Sequence, residues 1–313
     1  MRYFFIFLSI LIVAIAPFYG QIDLSTEGIL DNTSMHYQVF WDLRFPRIVL
    51  AFLTGGVLGL AGLIFQTVFR NPMSTPFTLG VASGATLFTA IAIVFGIASF
   101  VSFFAFIGSL LTILILFAIT SKLQDIHTTS LLLVGIALSF FYSACLMVLF
   151  FISDISQSYE IVRFTMGSLD TVGFTDVYFM LGASLTILAI ALVYKQKIKL
   201  LLISYEFAQL KGVDVKKTNY ILLFVVSISV GIGVSITGPI GFIGLIVPHT
   251  LKTLYKKSSE KLILPIFFYS GVFLVFCDLI ARNIGSNSDV PIGVVTSFLG
   301  APFFIYLILS RKK

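Results

Sequence analysis

Charge is scarce in this 313-residue chain, where Asp, Glu, Lys and Arg make up 11% of residues and hydrophobic residues 58%. A soluble domain of such length carries roughly 25% charged residues to furnish a solvated shell. The shortage excludes a water-solvated globule, and the mean hydropathy of +1.06 makes lipid the solvent. Cysteine is nearly absent. Cys145 and Cys277 both fall in apolar stretches, where isolated thiols read as small packing residues and carry no information on redox compartment. The three histidines, His36, His127 and His249, are too scattered to form the facing pairs a membrane haem protein needs. The chain also lacks a Gly-x4-Gly-Lys-Ser/Thr phosphate loop, a His-Glu-x-x-His metal site and a nucleophile–base pair at depth. It reads as non-enzymatic, without a metal or cofactor of its own. No polar stretch is long enough for a soluble domain, the longest being 21–43, 153–175 and 195–218, so residues 1–313 read as one membrane domain.

Long apolar runs are abundant. About 20 apolar residues span a hydrocarbon core as a helix, and such runs lie near 4–20, 48–69, 78–97, 101–120, 130–152, 176–194, 219–237, 240–254, 262–282 and 291–309. The eighth is short and interrupted by Pro248. A barrel would show short alternating strands, and a spanning segment must satisfy its own backbone polar groups; the expectation is an all-α integral membrane protein of about ten helices. Arg2, the apolar run after it and Ala14-Ile15-Ala16 imitate a cleavable signal, but Pro17 would follow the cut directly, so a retained first span is expected.

Basic residues set the orientation. With the N-terminus placed inside, 16 of the 20 Lys and Arg fall on the inner side, and the other 4, Arg44, Arg47, Arg163 and Arg282, on the outer. Ten of the 14 acids fall outside. Both termini are therefore expected in the cytoplasm, and the net charge of +6 reflects topology without invoking nucleic acid. Ala51, Gly55 and Gly59 recur every fourth residue in the second span, with Gly56 and Gly62 nearby, which suits close helix packing in lipid. Spans two to five and seven to ten run in opposite senses, an inverted pairing common in transporters, although the two stretches share little sequence.

Three stretches point further. The first is Leu43-Arg44-Phe45-Pro46-Arg47, followed by Arg70-Asn71-Pro72-Met73-Ser74-Thr75-Pro76 and Leu79-Gly80-Val81-Ala82-Ser83-Gly84-Ala85. The second runs from Thr237-Gly238-Pro239 to Val247-Pro248-His249, and the third from Asp289-Val290-Pro291-Ile292-Gly293 through Leu299-Gly300-Ala301-Pro302. In this order they resemble the FecCD family, the permeases of type II ATP-binding-cassette importers for iron siderophores, haem and cobalamin. The resemblance covers nearly the whole chain. Departures are Met73-Ser74 where Leu-Ala is usual, Asp289 where Glu is common, Lys211 where Leu is usual, and a Phe164–Leu169 stretch without the family's tryptophan.

The resemblance implies partners: a second permease subunit, identical or paralogous, two cytoplasmic ATPases that bind ATP and Mg, and an extracytoplasmic binding protein. It places the chain in a bacterial cytoplasmic membrane. It further implies that Ser204–Val215, with Glu206, Ala208, Lys211, Gly212 and Val213, seats in the ATPase; as residues alone, the lysines there equally suit a positive-inside anchor. Gly212 suits a helix-ending turn. Arg44, Arg47 and Arg282 would receive acids of the binding protein by bidentate grip, or else anchor at the interface, with Asp278 a competing partner for Arg282. Asn71, Pro72, Met73, Thr128 and Thr129 would close the inner mouth of a pathway lined by the fifth and tenth helices; as residues alone they suit a turn and a helix cap. The rival is an ion-coupled secondary transporter of a small solute, which would bury acids or bases at mid-membrane. Here every acid falls in a loop or near a span end.

Overall fold

A computed structural model of the chain describes residues 2–20, 22–122, 128–255, 259–284 and 289–310. Among these there is no strand. Helix α1, Arg2–Ile15, runs into a 3-10 turn at Ala16–Phe18. The short α2, Thr26–Leu30, and α3, Met35–Gln38, follow, each capped by a serine hydroxyl. A π-helical stretch, Val39–Arg44, then leads without a break into α4, Phe45–Val68. Next come α5, Val81–Val94, α6, Val101–Lys122, and α7, Thr128–Ile152. Helix α8, Ile155–Met166, opens with a capping box between Asp154 and Gln157 and precedes α9, Thr175–Val193. Two short helices, α10, Lys195–Ile203, and α11, Tyr205–Leu210, lead to α12, Val215–Thr237. The chain ends with α13, Ile243–Tyr255, α14, Ile263–Ile284, and α15, Ile292–Ser310.

All ten apolar runs become helices, but not all of spanning length. Among the described residues, five helical segments are long and apolar enough to cross a membrane alone: Met35–Val68, Leu133–Ile152, Thr175–Val193, Val215–Thr237 and Ile263–Ile284. Helices α5 and α13, of 14 and 13 residues, rise only about 20 Å, against a hydrocarbon core of about 30 Å. The third span is thus shorter than its apolar run 78–97, whereas the eighth is short as its run indicates. Each is entered through irregular backbone: residues 69–80 end at Gly80 with φ 80°, and residues 238–242 hold Gly238 and Phe242 at φ 66° and 67°. Such backbone is tolerated at depth when protein buries it, and Leu79, Gly80 and Ile240 are buried. Pro248 sits inside α13 without ending it.

The two short helices hold the second place in each group of four, α4–α7 and α12–α15. The packing repeats the symmetry. The first helix of each group lies along the third of the other, α4 on α14 and α12 on α6, while α9 packs on both first helices. Small residues allow these contacts, since lipid offers no hydrophobic force between helices. A Cβ on Gly59 would stand 2.0 Å from the Ser270 hydroxyl, and one on Gly62 would stand 2.1 Å from the Gly244 carbonyl. The four-residue stripe on the second span is a packing seam.

Candidate functional site

Three places in the bundle gather the residues singled out by the sequence. At one end, the Arg47 guanidinium meets three carboxylates, Asp170 at 2.9 Å, Asp278 at 2.9 Å and Asp289 at 2.7 Å. Helix α4 supplies the arginine, the loop after α8, helix α14 and the approach to α15 the acids. Asp278 also pairs with Arg282 one turn on, at 3.0 Å, and is fully buried. The competing intrahelical partner is therefore the one present. Arg282 also donates to the carbonyls of Ala16 and Tyr19, both at 3.3 Å.

Arg44 and Arg47 lie three residues apart but diverge. Arg44 donates to the carbonyls of Pro17, Phe18 and Ile22 and makes no ion pair among the described residues. Arg44 closes the π-helical stretch and faces residues 17, 18 and 22, while Arg47, in the first turn of α4, faces the carboxylates. The three arginines line one recess of about 530 Å³ with Gly20, Asp170 and Asp289. Their heads are spent largely within the chain; Arg44 and Arg282 are buried. The Ala14–Ala16 stretch that imitates a cleavage site ends at a buried Ala16 whose carbonyl one of them holds.

In the middle, the motif glycines meet backbone to backbone. A Cβ on Gly238 would stand 2.5 Å from the Phe164 carbonyl, and one on Gly293 would stand 2.4 Å from the Met166 carbonyl. The Ser168 amide donates to the Thr237 carbonyl at 2.8 Å. Three stretches distant in sequence, around 164–168, 237–238 and 293, thus form one junction. Beside it opens a recess of about 840 Å³ with hydroxyls from Ser83, Thr86, Tyr142, Ser143, Thr165 and Ser297 and no charged residue in its lining. Its walls come from α5, α7, α8 and α15, so the fifth and tenth spans do share one cavity. Phe140 of α7 and Phe298 of α15, 73% and 78% exposed, extend from that side as unpartnered apolar surface.

At the other end, α10 and α11 form an elbow. Ser204 caps α11 by accepting from the Phe207 amide at 2.8 Å, and Asp214 caps α12 through the Lys217 amide at 2.9 Å. Gly212 turns the chain between them at φ 78° with open space around it. Of the expected coupling residues, Ala208 and Val213 are buried as the elbow's core, and Glu206, Lys211 and Gly212 are exposed. Hydrogen bonds from its own backbone amide and from Ser204 hold the Glu206 carboxyl below its ordinary value. Leu210 stands 85% exposed at the tip.

The turn after α4 is held by the Asn71 carboxamide oxygen, which accepts from the Met73 amide at 2.9 Å, and Met73 is half-exposed. These residues lie apart from the hydroxyl-lined recess. Thr128 and Thr129 open α7, but their side chains, like His127, lie outside the described residues. Sequence reasoning gave no role of their own to Arg70, Tyr205 and Asn219, which interlock at this end, and missed Asp170, whose place beside Arg47 no local spacing signals. Among the described residues no group of three His, Cys, Asp or Glu could hold a metal.

Comparison with known proteins agrees with this architecture. The model of the FecCD transport family matches residues 6–310. The hemin transport system permease HmuU of Yersinia pestis is 32% identical over 98% of this chain and 95% of its own length. A probable iron chelatin transport system permease of Helicobacter pylori is 34% identical over 88% of this chain and 83% of its own. A solved metal-chelate type ABC transporter in an inward-facing conformation superposes with a TM-score of 0.86 at 29% identity, covering 97% of each chain. With two groups of four helices, each packing its first helix on the third of the other, and motif glycines that meet at one junction, the chain belongs to the FecCD transport family, as a multi-pass membrane permease.

Proposed function

We propose that the chain is half of the membrane pathway of an ATP-driven importer that brings a metal chelate (a ferric siderophore or haem) or a cobalamin-like ligand into the cytoplasm. The elbow carries this reading. A six-residue helix, capped at its start by Ser204, holds Leu210, Phe207 and Lys211 out from the lysine-rich end, and apolar surface on so small a projection calls for a protein partner. One of two cytoplasmic ATPases, which bind the ATP and Mg, seats there, and the other on the second permease subunit. The elbow end then faces the cytoplasm with both termini, in keeping with 16 basic residues against 4.

A second permease copy or paralogue covers the exposed faces of α7 and α15 and closes the hydroxyl-lined recess into a pathway. The uncharged lining suits a bulky ligand that must pass without being held. The binding protein docks at the Arg47 end. Arg44 is the arginine there with no carboxylate partner among the described residues, so it receives the binding protein's acid first, with Arg282 and Arg47 behind it. Asn71, Pro72 and Met73, together with Thr128 and Thr129, close the cytoplasmic mouth; disulfide cross-linking of Thr129→Cys in paired subunits blocks uptake if so, and unimpaired transport would remove the gate from that position.

The test of the whole reading is gentle-detergent purification of tagged chain from its native membranes, followed by intact-complex mass spectrometry. Two permease chains with two ATPases support it. Recovery of the chain alone, under conditions that preserve a known importer, returns the ion-coupled transporter to first place.

A further inference from the structure

Helix α4 ends at Val68, and the carbonyls of a last helical turn have no partner within the helix. The Val68 carbonyl finds one 137 residues away, in the Tyr205 hydroxyl. Tyr205 is the first residue of α11, placed there because Ser204, extended at φ −161° and ψ 159°, turns the chain sharply between α10 and α11. Arg70 completes the joint from the other side. Held in left-handed backbone at φ 45°, it sets its guanidinium 5.5 Å from the centre of the Tyr205 ring, with Nη2 3.5 Å from the Ile203 carbonyl. A non-glycine residue persists in such backbone only where its surroundings impose it. The buried Asn219 of α12 lies against the same hydroxyl and leaves its own Oδ1 without a partner. Burial raises the Tyr205 hydroxyl above its ordinary pKa, so it remains a donor across physiological pH.

One side chain therefore touches the ends of α4 and α12 and the residue that starts the Asn71–Met73 turn. Helix α11 lies between two joints, Ser204 at its start and Gly212 beyond its end, with Leu210 and Lys211 exposed near the far joint. A rigid piece about 9 Å long with a turn at each end works as a lever. We infer that Tyr205 is the positioning residue that carries displacement of α11 into the inner end of α4 and the turn at Asn71–Met73, with Arg70 as its clamp. The inference rests on the reading that α11 seats against an ATPase, and it adds the link between that contact and the mouth of the pathway.

The test uses the complex as it co-purifies from membranes, reconstituted in lipid nanodiscs, with an environment-sensitive fluorophore on Met73→Cys in a Cys145→Ser background. ATP with orthovanadate is the probe. The parent complex gives a fluorescence change. Tyr205→Phe keeps the ring over Arg70 but loses the bond to Val68, and should weaken the nucleotide-driven change about threefold or more, the factor that one lost hydrogen bond carries. Tyr205→Ala should abolish it. Both variants should retain bound ATPase and hydrolyse ATP at close to the parental rate, which a merely structural role would not predict. A full change in Tyr205→Ala overturns the inference. So does loss of the ATPase from that variant, which would make Tyr205 a docking residue. If no ATPase accompanies even the unaltered chain, it is the importer reading that fails.

Discussion

The two ends of the bundle use positive charge in opposite ways. At the Arg47 end, three arginines lie at or below the surface, and their guanidinium forks are divided among three carboxylates and five backbone carbonyls contributed from across the chain. At the elbow end, Lys195, Lys197, Lys211, Lys216 and Lys217 stand exposed, and Lys199, 54% exposed at the side chain, reaches only Glu260 at 3.5 Å. A planar fork can satisfy several acceptors at once in a dry site, whereas an ammonium is a hydrated point charge. The first end is therefore a closed structural joint and the second an open surface. What looks in sequence like one rule, basic residues outside the core, is two.

That contrast can be broken most severely at Asp278. Replacing it with alanine leaves both Arg47 and Arg282 short of a buried partner and should cost about 3–5 kcal/mol, read as a fall in the thermal unfolding midpoint of the detergent-purified chain. Arg163→Ala is the control, because its pair with Asp170 is more than half exposed and should contribute under about 1 kcal/mol. Equal losses in the two variants would remove the distinction between joint and surface. A smaller effect is expected at Gly212. Trp there has room but a strained φ of 78°, a cost of about 1–3 kcal/mol; the permease should fold yet lose uptake and ATPase stimulation, and normal transport would free the elbow from its coupling role.

Smaller still is the docking effect of Arg44→Gln. It should weaken binding-protein affinity about tenfold, or about 1.4 kcal/mol, and flatten the salt dependence of that affinity; unchanged binding would leave Arg44 solely a clamp on residues 17–22. The least is Lys199→Ala, within about 1 kcal/mol in stability. A larger loss there would show that the elbow end has buried joints of its own.

Much of this was legible in the chain. Apolar runs located ten of the fifteen described helices, because lipid demands long uninterrupted segments, and the Ala51–Gly55–Gly59 stripe announced the seam against α14. The shortness of α13 showed in its short run, but that of α5 was hidden, since Gly80 starts it from left-handed backbone while the surrounding residues stay apolar. The elbow was placed by resemblance and its glycine by the turn it must make, but Tyr205 was invisible: its partners are a carbonyl 137 residues away and a ring contact with Arg70. Arg47 was seen as a surface receptor because Asp170 and Asp289 lie 123 and 242 residues distant. Local spacing carries no trace of such pairs.

The bonds from Arg44 and Arg282 to residues 16–22 bear on the order in which the protein can be made. Ala16 and Arg282 are 266 residues apart. At roughly 5–20 residues per second of synthesis, the first span waits on the order of 15–50 s before its final partner leaves the ribosome. Through that interval the turn after α1 has only early partners such as Arg44 and Phe40, and the molecule's earliest segment is among the last to be locked.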